Sequence, residues 1–136
     1  MLSRLFMVAA LLAIGCSSPV EPGPELQPAM ITGFFEGDPH ISLDVSGNTL
    51  LIEVNSYGNG CVSKGEVQVT VDDDTLTVTA AAFDWRVTGN CPDYLATFHH
   101  STTVDLFRAG DWAVHVTGLD SAREPVRFDF TVRVGI

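Results

Sequence analysis

Apolar residues recur at every second position along most of this chain. Ile41, Leu43 and Val45 alternate with Ser42 and Asp44, while Leu50, Ile52 and Val54 alternate with Leu51 and Glu53. Val67, Val69 and Val71 are spaced by Gln68 and Thr70, and Leu76, Val78 and Ala80 by threonines. Near the end, Val126, Phe128, Phe130, Val132 and Val134 alternate with Arg127, Asp129, Thr131 and Arg133. A period of two predicts antiparallel strands with one face buried and one face wet. No stretch carries the 3.6-residue period of an amphipathic helix.

The turns keep the same phase. Pairing Val45 with Leu50 leaves Gly47-Asn48 as a two-residue hairpin loop, and pairing Val71 with Leu76 leaves Asp73-Asp74 in that role. Both registers set inward residues opposite inward residues. Two readings exist around Trp112. Leu106 can pair with Trp112 across a three-residue hairpin that uses Gly110, or the chain can turn a corner there between two sheets. The stretch Leu106…Gly110-Asp111-Trp112-Ala113-Val114 resembles the Leu…Gly-x-Tyr-x-Val run of immunoglobulin-like domains, with Trp in place of Tyr. Cys61 and Cys91 are too close in sequence for the intersheet bridge usual in that family. The resemblance and the strand spacing together imply an all-β fold, an antiparallel immunoglobulin-like sandwich of about 7–8 strands, with a small β-barrel as the alternative.

A different pattern precedes the strands. One basic residue, Arg4, is followed by the apolar run Leu5–Ile14, too short for a membrane-spanning helix and suited to a signal peptide. The tetrad Ala13-Ile14-Gly15-Cys16 resembles the lipobox of bacterial lipoproteins, in which cleavage precedes a cysteine that then carries lipid. That family most often has Leu where this chain has Ala13. The resemblance implies a signal peptide over 1–15, palmitate and diacylglycerol on Cys16, and sorting by Ser17 to the cell outer membrane, facing the periplasm or the exterior. Two or more acyl chains suffice for stable anchoring. Residues 16–30, with Pro19, Pro22, Pro24 and Pro28, are expected to form an extended tether, and residues 31–136 a single β domain.

Lipidation of Cys16 leaves Cys61 and Cys91 as an even pair, expected to form a disulfide in an oxidising compartment. The loop it closes, of about 31 residues, makes such a link worth roughly 3–4 kcal/mol in the chain-entropy model. The chain carries a formal charge of −10, and removal of Arg4 with the signal peptide makes it −11. That charge disfavours nucleic acid and fits partners with basic surfaces.

Sequence motifs for chemistry are sparse. There is no G-x-S-x-G elbow, phosphate-cradling glycine loop or H-E-x-x-H. Ser101 follows His100 directly, and neighbours on a strand point to opposite faces. His99, His100 and His115 read as surface histidines. If Leu106 pairs with Trp112, His115 lies opposite Thr103, about 13 Å along the strand from His99, too far to share a metal ion. Asp72-Asp73-Asp74 reads as a solvated turn rather than a calcium loop. No metal or other cofactor is expected.

The segment Arg86–Phe98 is long, irregular and pinned by Cys91. Arg86, Asn90, Asp93 and Tyr94 are the candidate contact residues of a binding loop. The plainer expectation is a strand crossover whose Tyr94 and Leu95 fill the edge of the core. Together these readings predict a lipid-anchored envelope binding or structural module, not an enzyme, whose partners are the membrane and an envelope or extracellular protein with a basic surface. The alternatives are an inhibitor of a cationic hydrolase such as lysozyme, and a hydrolase with an unrecognised site.

Overall fold

The computed structural model describes residues 23–135. The expected signal peptide over 1–15, with Cys16 and Ser17, lies outside the described residues. Eight strands make up the structure: β1 (Glu25–Pro28), β2 (Ile41–Ser46), β3 (Thr49–Gly58), β4 (Val62–Asp72), β5 (Thr77–Arg86), β6 (Ala96–Asp105), β7 (Gly110–Leu119) and β8 (Pro125–Val134). They form two sheets, and among the described residues there is no helix. One sheet has the order β2-β3-β6. The other is built on β5, which pairs β4 along one edge and shares its other edge between β1 and β7, with β8 beyond β7. The molecule is a β-sandwich.

The inward face of each sheet is the one the alternation marks. Leu50, Ile52 and Val54 of β3 meet Val78 and Ala80 of β5 and Trp112, Val114 and Val116 of β7 in one buried cluster, closed by Ile31 and Leu106. Burial of these side chains contributes roughly 1.5–3 kcal/mol for each of the larger ones. The β2–β3 hairpin has the expected register, with Val45 opposite Leu50 and Gly47-Asn48 as its loop. The Cys61–Cys91 disulfide is present, with Cα atoms 5.1 Å apart. It staples the base of the β4–β5 pair, where Val62 faces Arg86.

Four details differ from expectation. The β4–β5 register is shifted by two, with Val71 opposite Val78 and Asp72 opposite Thr77. The loop is therefore Asp73–Leu76 rather than Asp73-Asp74. Asp72 accepts the N–H groups of Asp74 and Thr75, and Leu76 takes a left-handed φ of 50° while its carbonyl accepts Ala113 N–H. Because the shift is even, the buried faces are unchanged.

At Trp112 the chain turns a corner between sheets and makes no hairpin. β6 pairs with β3 and β7 with β5 and β8, so Leu106 does not pair with Trp112. Trp112, fully buried, donates its indole N–H to the Arg108 carbonyl at 2.9 Å and stitches the corner. His115 consequently faces Asp129 at 2.6 Å and not Thr103. The same crossover returns β7 parallel to β5, while the other pairings between the described strands are antiparallel.

Finally, the sheet begins earlier than the proline content predicts. β1 lies inside the 16–30 stretch expected as tether, and Ala29 and Met30 are buried. Proline is tolerated because β1 is a short edge strand and Pro28 is its last residue. Glu25 sits opposite Arg86, so the chain enters the sandwich at the end where β5 finishes.

Candidate functional site

Three inward positions at this end of the core are polar. Ser56 on β3, Asp84 on β5 and His100 on β6 are each at most 4% exposed. Their phase explains it: Ser56 continues the Leu50-Ile52-Val54 face, and Asp84 the Val78-Ala80-Ala82 face. His100 is therefore a core residue, correcting its expected place on the surface. Ser101, its neighbour, is exposed.

Every group around Asp84 is a donor. Ser56 donates its hydroxyl to Oδ2 at 2.5 Å, Gly65 its N–H to Oδ1 at 3.0 Å, and His100 Nε2 approaches Oδ1 at 2.9 Å. The same Nε2 lies 2.8 Å from Ser56 Oγ, so the ring proton sits on Nε2 and is shared. Gly65 occupies the β4 bulge, where any added Cβ would collide with the Phe83 carbonyl. In a nucleophilic relay the serine proton goes to one imidazole nitrogen while a carboxylate holds the other. Here serine and carboxylate share one nitrogen and the serine proton is committed to the carboxylate. The trio stitches the two sheets together.

A second polar knot anchors the segment between β1 and β2. Asp38 accepts the backbone N–H groups of Phe34 and Phe35 at 2.9 and 2.7 Å and the Tyr57 hydroxyl at 2.7 Å. Burial raises the Asp38 carboxyl, but the bonds from Phe35, Tyr57 and Phe34 and the nearby His40 outweigh it and leave it below the usual value. Burial, with Asp38 beside it, pushes Tyr57 up to about 12. The rings of Phe34 and Phe35 flank Tyr57 at 5.0 and 5.4 Å, which fixes their positions.

Phe34 forms one wall of an open cleft of about 300 Å³ at this end of the sandwich. Arg86 from the end of β5, Asp93 and Tyr94 from the 87–95 loop, and Arg123 from the β7–β8 turn share its polar lining with Asn59 and Ser121, and Met30 and Leu95 are further apolar wall. The sequence-derived candidates Arg86, Asp93 and Tyr94 thus converge, while Asn90 is exposed and outside the cleft. Tyr94 is 58% and Leu95 46% exposed, so they do not fill the core edge as expected. The disulfide and the Gly60 N–H to Pro92 carbonyl bond (3.1 Å) hold the loop outward instead.

Arg123 has no counterpart in the sequence reading. It is the third residue of the Ser121–Arg123 turn, in a left-handed φ of 61°. Glycine and asparagine favour that conformation, so nothing in the local sequence signals it. Burial, then Arg123, lowers the Arg86 guanidinium, against Asp84, which raises it. Arg127 pairs with Asp129, Arg133 with Asp111, and Arg108 donates to the Asp73 carbonyl, while Lys64 lies on β4 away from the cleft. Among the described residues, no carboxylate pairs with Arg86 or Arg123, and no three His, Cys, Asp or Glu side chains converge as metal ligands. No protein-family model, curated protein or solved structure matches the chain.

Proposed function

We propose that this protein is a lipid-anchored binding module of the cell envelope, attached through Cys16, that recognises its ligand at the cleft end of the sandwich. The carrying observation is the 87–95 loop, covalently pinned at Cys91 yet holding Tyr94 and Leu95 out to solvent. Rigid display of an aromatic on a β scaffold suits recognition, because little entropy is lost when the partner arrives.

The lipobox-like tetrad and the disulfide both agree with an address outside the cytoplasm. Entry of the chain beside Arg86 adds a constraint. β1 begins with Glu25 opposite Arg86, so an anchor at Cys16 attaches to the sandwich at its cleft end.

Two measurements on one strain test this reading. Replacing Cys16 with Ala should move the protein from the membrane fraction to the soluble fraction and abolish labelling by palmitate. A photo-crosslinking residue at Tyr94 should give adducts in the native envelope that the same residue at Asn48, at the far end, does not. Unchanged fractionation rejects the anchor, and equal adducts at both ends reject the cleft as the recognition face.

A further inference from the structure

In a chain of net charge −10, two of seven basic side chains converge on one cleft, and among the described residues no carboxylate forms an ion pair with either. We propose that the Arg86–Arg123 cleft binds a phosphate group carried on an apolar or aromatic body. The proposal rests on the reading of this end as the recognition surface and names the ligand chemistry.

Three observations carry it. First, both guanidiniums line the same cleft and repel each other, an arrangement that an oxyanion between them relieves. A phosphate monoester, with a charge of about −1.5 to −2, answers two arginines where a carboxylate answers one. Second, Arg123 stands at a left-handed turn position where glycine would be unstrained. Its turn is already satisfied by Asp120, which accepts the N–H groups of Ala122 and Glu124, so the Arg side chain is not needed to hold the turn. Third, Phe34, Tyr94 and Leu95 supply apolar wall beside the two charges, and Phe34 is fixed by the Asp38 knot. Asp93 shares the lining and opposes the anion. That predicts a modest intrinsic affinity, tightened when Asp93 is neutralised.

The test uses the full chain purified in a zwitterionic detergent, followed by amide NMR shifts during titration. The probes are inorganic phosphate, phenyl phosphate, and acetate as the carboxylate control, each to about 10 mM. A parallel arm measures binding to phosphatidylcholine vesicles with and without phosphatidic acid, whose headgroup is a phosphate monoester.

Phenyl phosphate should bind more tightly than inorganic phosphate, and acetate least, with shifts at Arg86, Tyr94 and Arg123. R86Q and R123G should each weaken binding at least tenfold, while D93N strengthens it several-fold. R123G should keep or raise the thermal midpoint, which separates loss of charge from loss of fold. Arginine-dependent vesicle binding that requires phosphatidic acid assigns the phosphate to a lipid headgroup. Phenyl phosphate binding without it assigns a soluble ester. Absence of binding in both arms, or R123G binding as the parent does, overturns the proposal. A C16A chain that leaves the membrane fraction yet titrates unchanged separates this result from the anchor.

Discussion

Removing the carboxylate of Asp84 should destabilise this protein more than removing the whole polar trio. In D84A, the Ser56 hydroxyl and the Gly65 N–H lose their acceptor inside the core, and His100 Nε2 is left with Ser56 Oγ alone. A buried donor without a partner costs roughly 1–3 kcal/mol, and breaking a buried pair about 3–5 kcal/mol. A loss of about 4 kcal/mol is a large share of the ~5–15 kcal/mol holding a domain together. With an m-value near ~2 kcal/mol/M, the urea midpoint should fall by about 2 M. The triple variant S56A/D84L/H100L replaces the trio with apolar groups and leaves only the Gly65 N–H to satisfy, so its midpoint should lie above that of D84A. Equilibrium urea unfolding followed by tryptophan fluorescence reads both. A D84A midpoint within ~0.5 M of the parent, or a triple variant less stable than D84A, refutes the view that the trio is a closed network.

Alkaline unfolding should report Tyr57. Its pKa is raised from 10.0 to about 12, so the protonated folded state is favoured. That stability is whole below pH 10 and is lost as pH climbs to 12, by an amount on the order of 2–3 kcal/mol. Y57F should flatten this limb in denaturation measured at pH 9 to 12. Asp38 acts with the opposite sign: its carboxyl lies below 3.8, so its contribution is present above that pH and falls away in acid. D38N should therefore show a shallower loss of stability below pH 4. Reduction of Cys61–Cys91 should cost roughly 3–4 kcal/mol in denaturant titrations and speed proteolysis of the 87–95 loop, and C61S/C91S should match the reduced parent. G65A should destabilise clearly, since Phe83 backbone must move to admit the methyl group and the N–H to Asp84 is displaced with it.

Local pattern carried much of the fold because strand phase and tight-turn chemistry are local. Ile41–Val54 shows this, where Gly47-Asn48 set the register of β2 on β3. Pairing partners are another matter. Nothing near Trp112 decides that β7 joins β5 rather than β6; the choice belongs to the packing of two sheets, and with it goes the neighbour of His115. The β4–β5 loop slipped for a similar reason, since Leu76 is drawn into a left-handed turn while its carbonyl bonds Ala113 across the sheet.

The buried trio was within reach. Extending the period of two past Val54 and Ala82 lands on Ser56 and Asp84, but polar residues end an apolar run and so conceal its continuation. Arg86, Asp93 and Tyr94 were legible from the irregular, cysteine-pinned loop, whereas Arg123 reaches the same cleft from a distant hairpin.

Mass spectrometry of the native protein, digested without reduction, bears most directly on a lipidated module working outside the cytoplasm. The account predicts an N-terminal peptide that begins at Cys16 with the mass of a diacylglyceryl group, together with a linked Cys61–Cys91 pair of peptides. A peptide that runs through Gly15-Cys16 unmodified, with Cys61 and Cys91 recovered as free thiols, contradicts it.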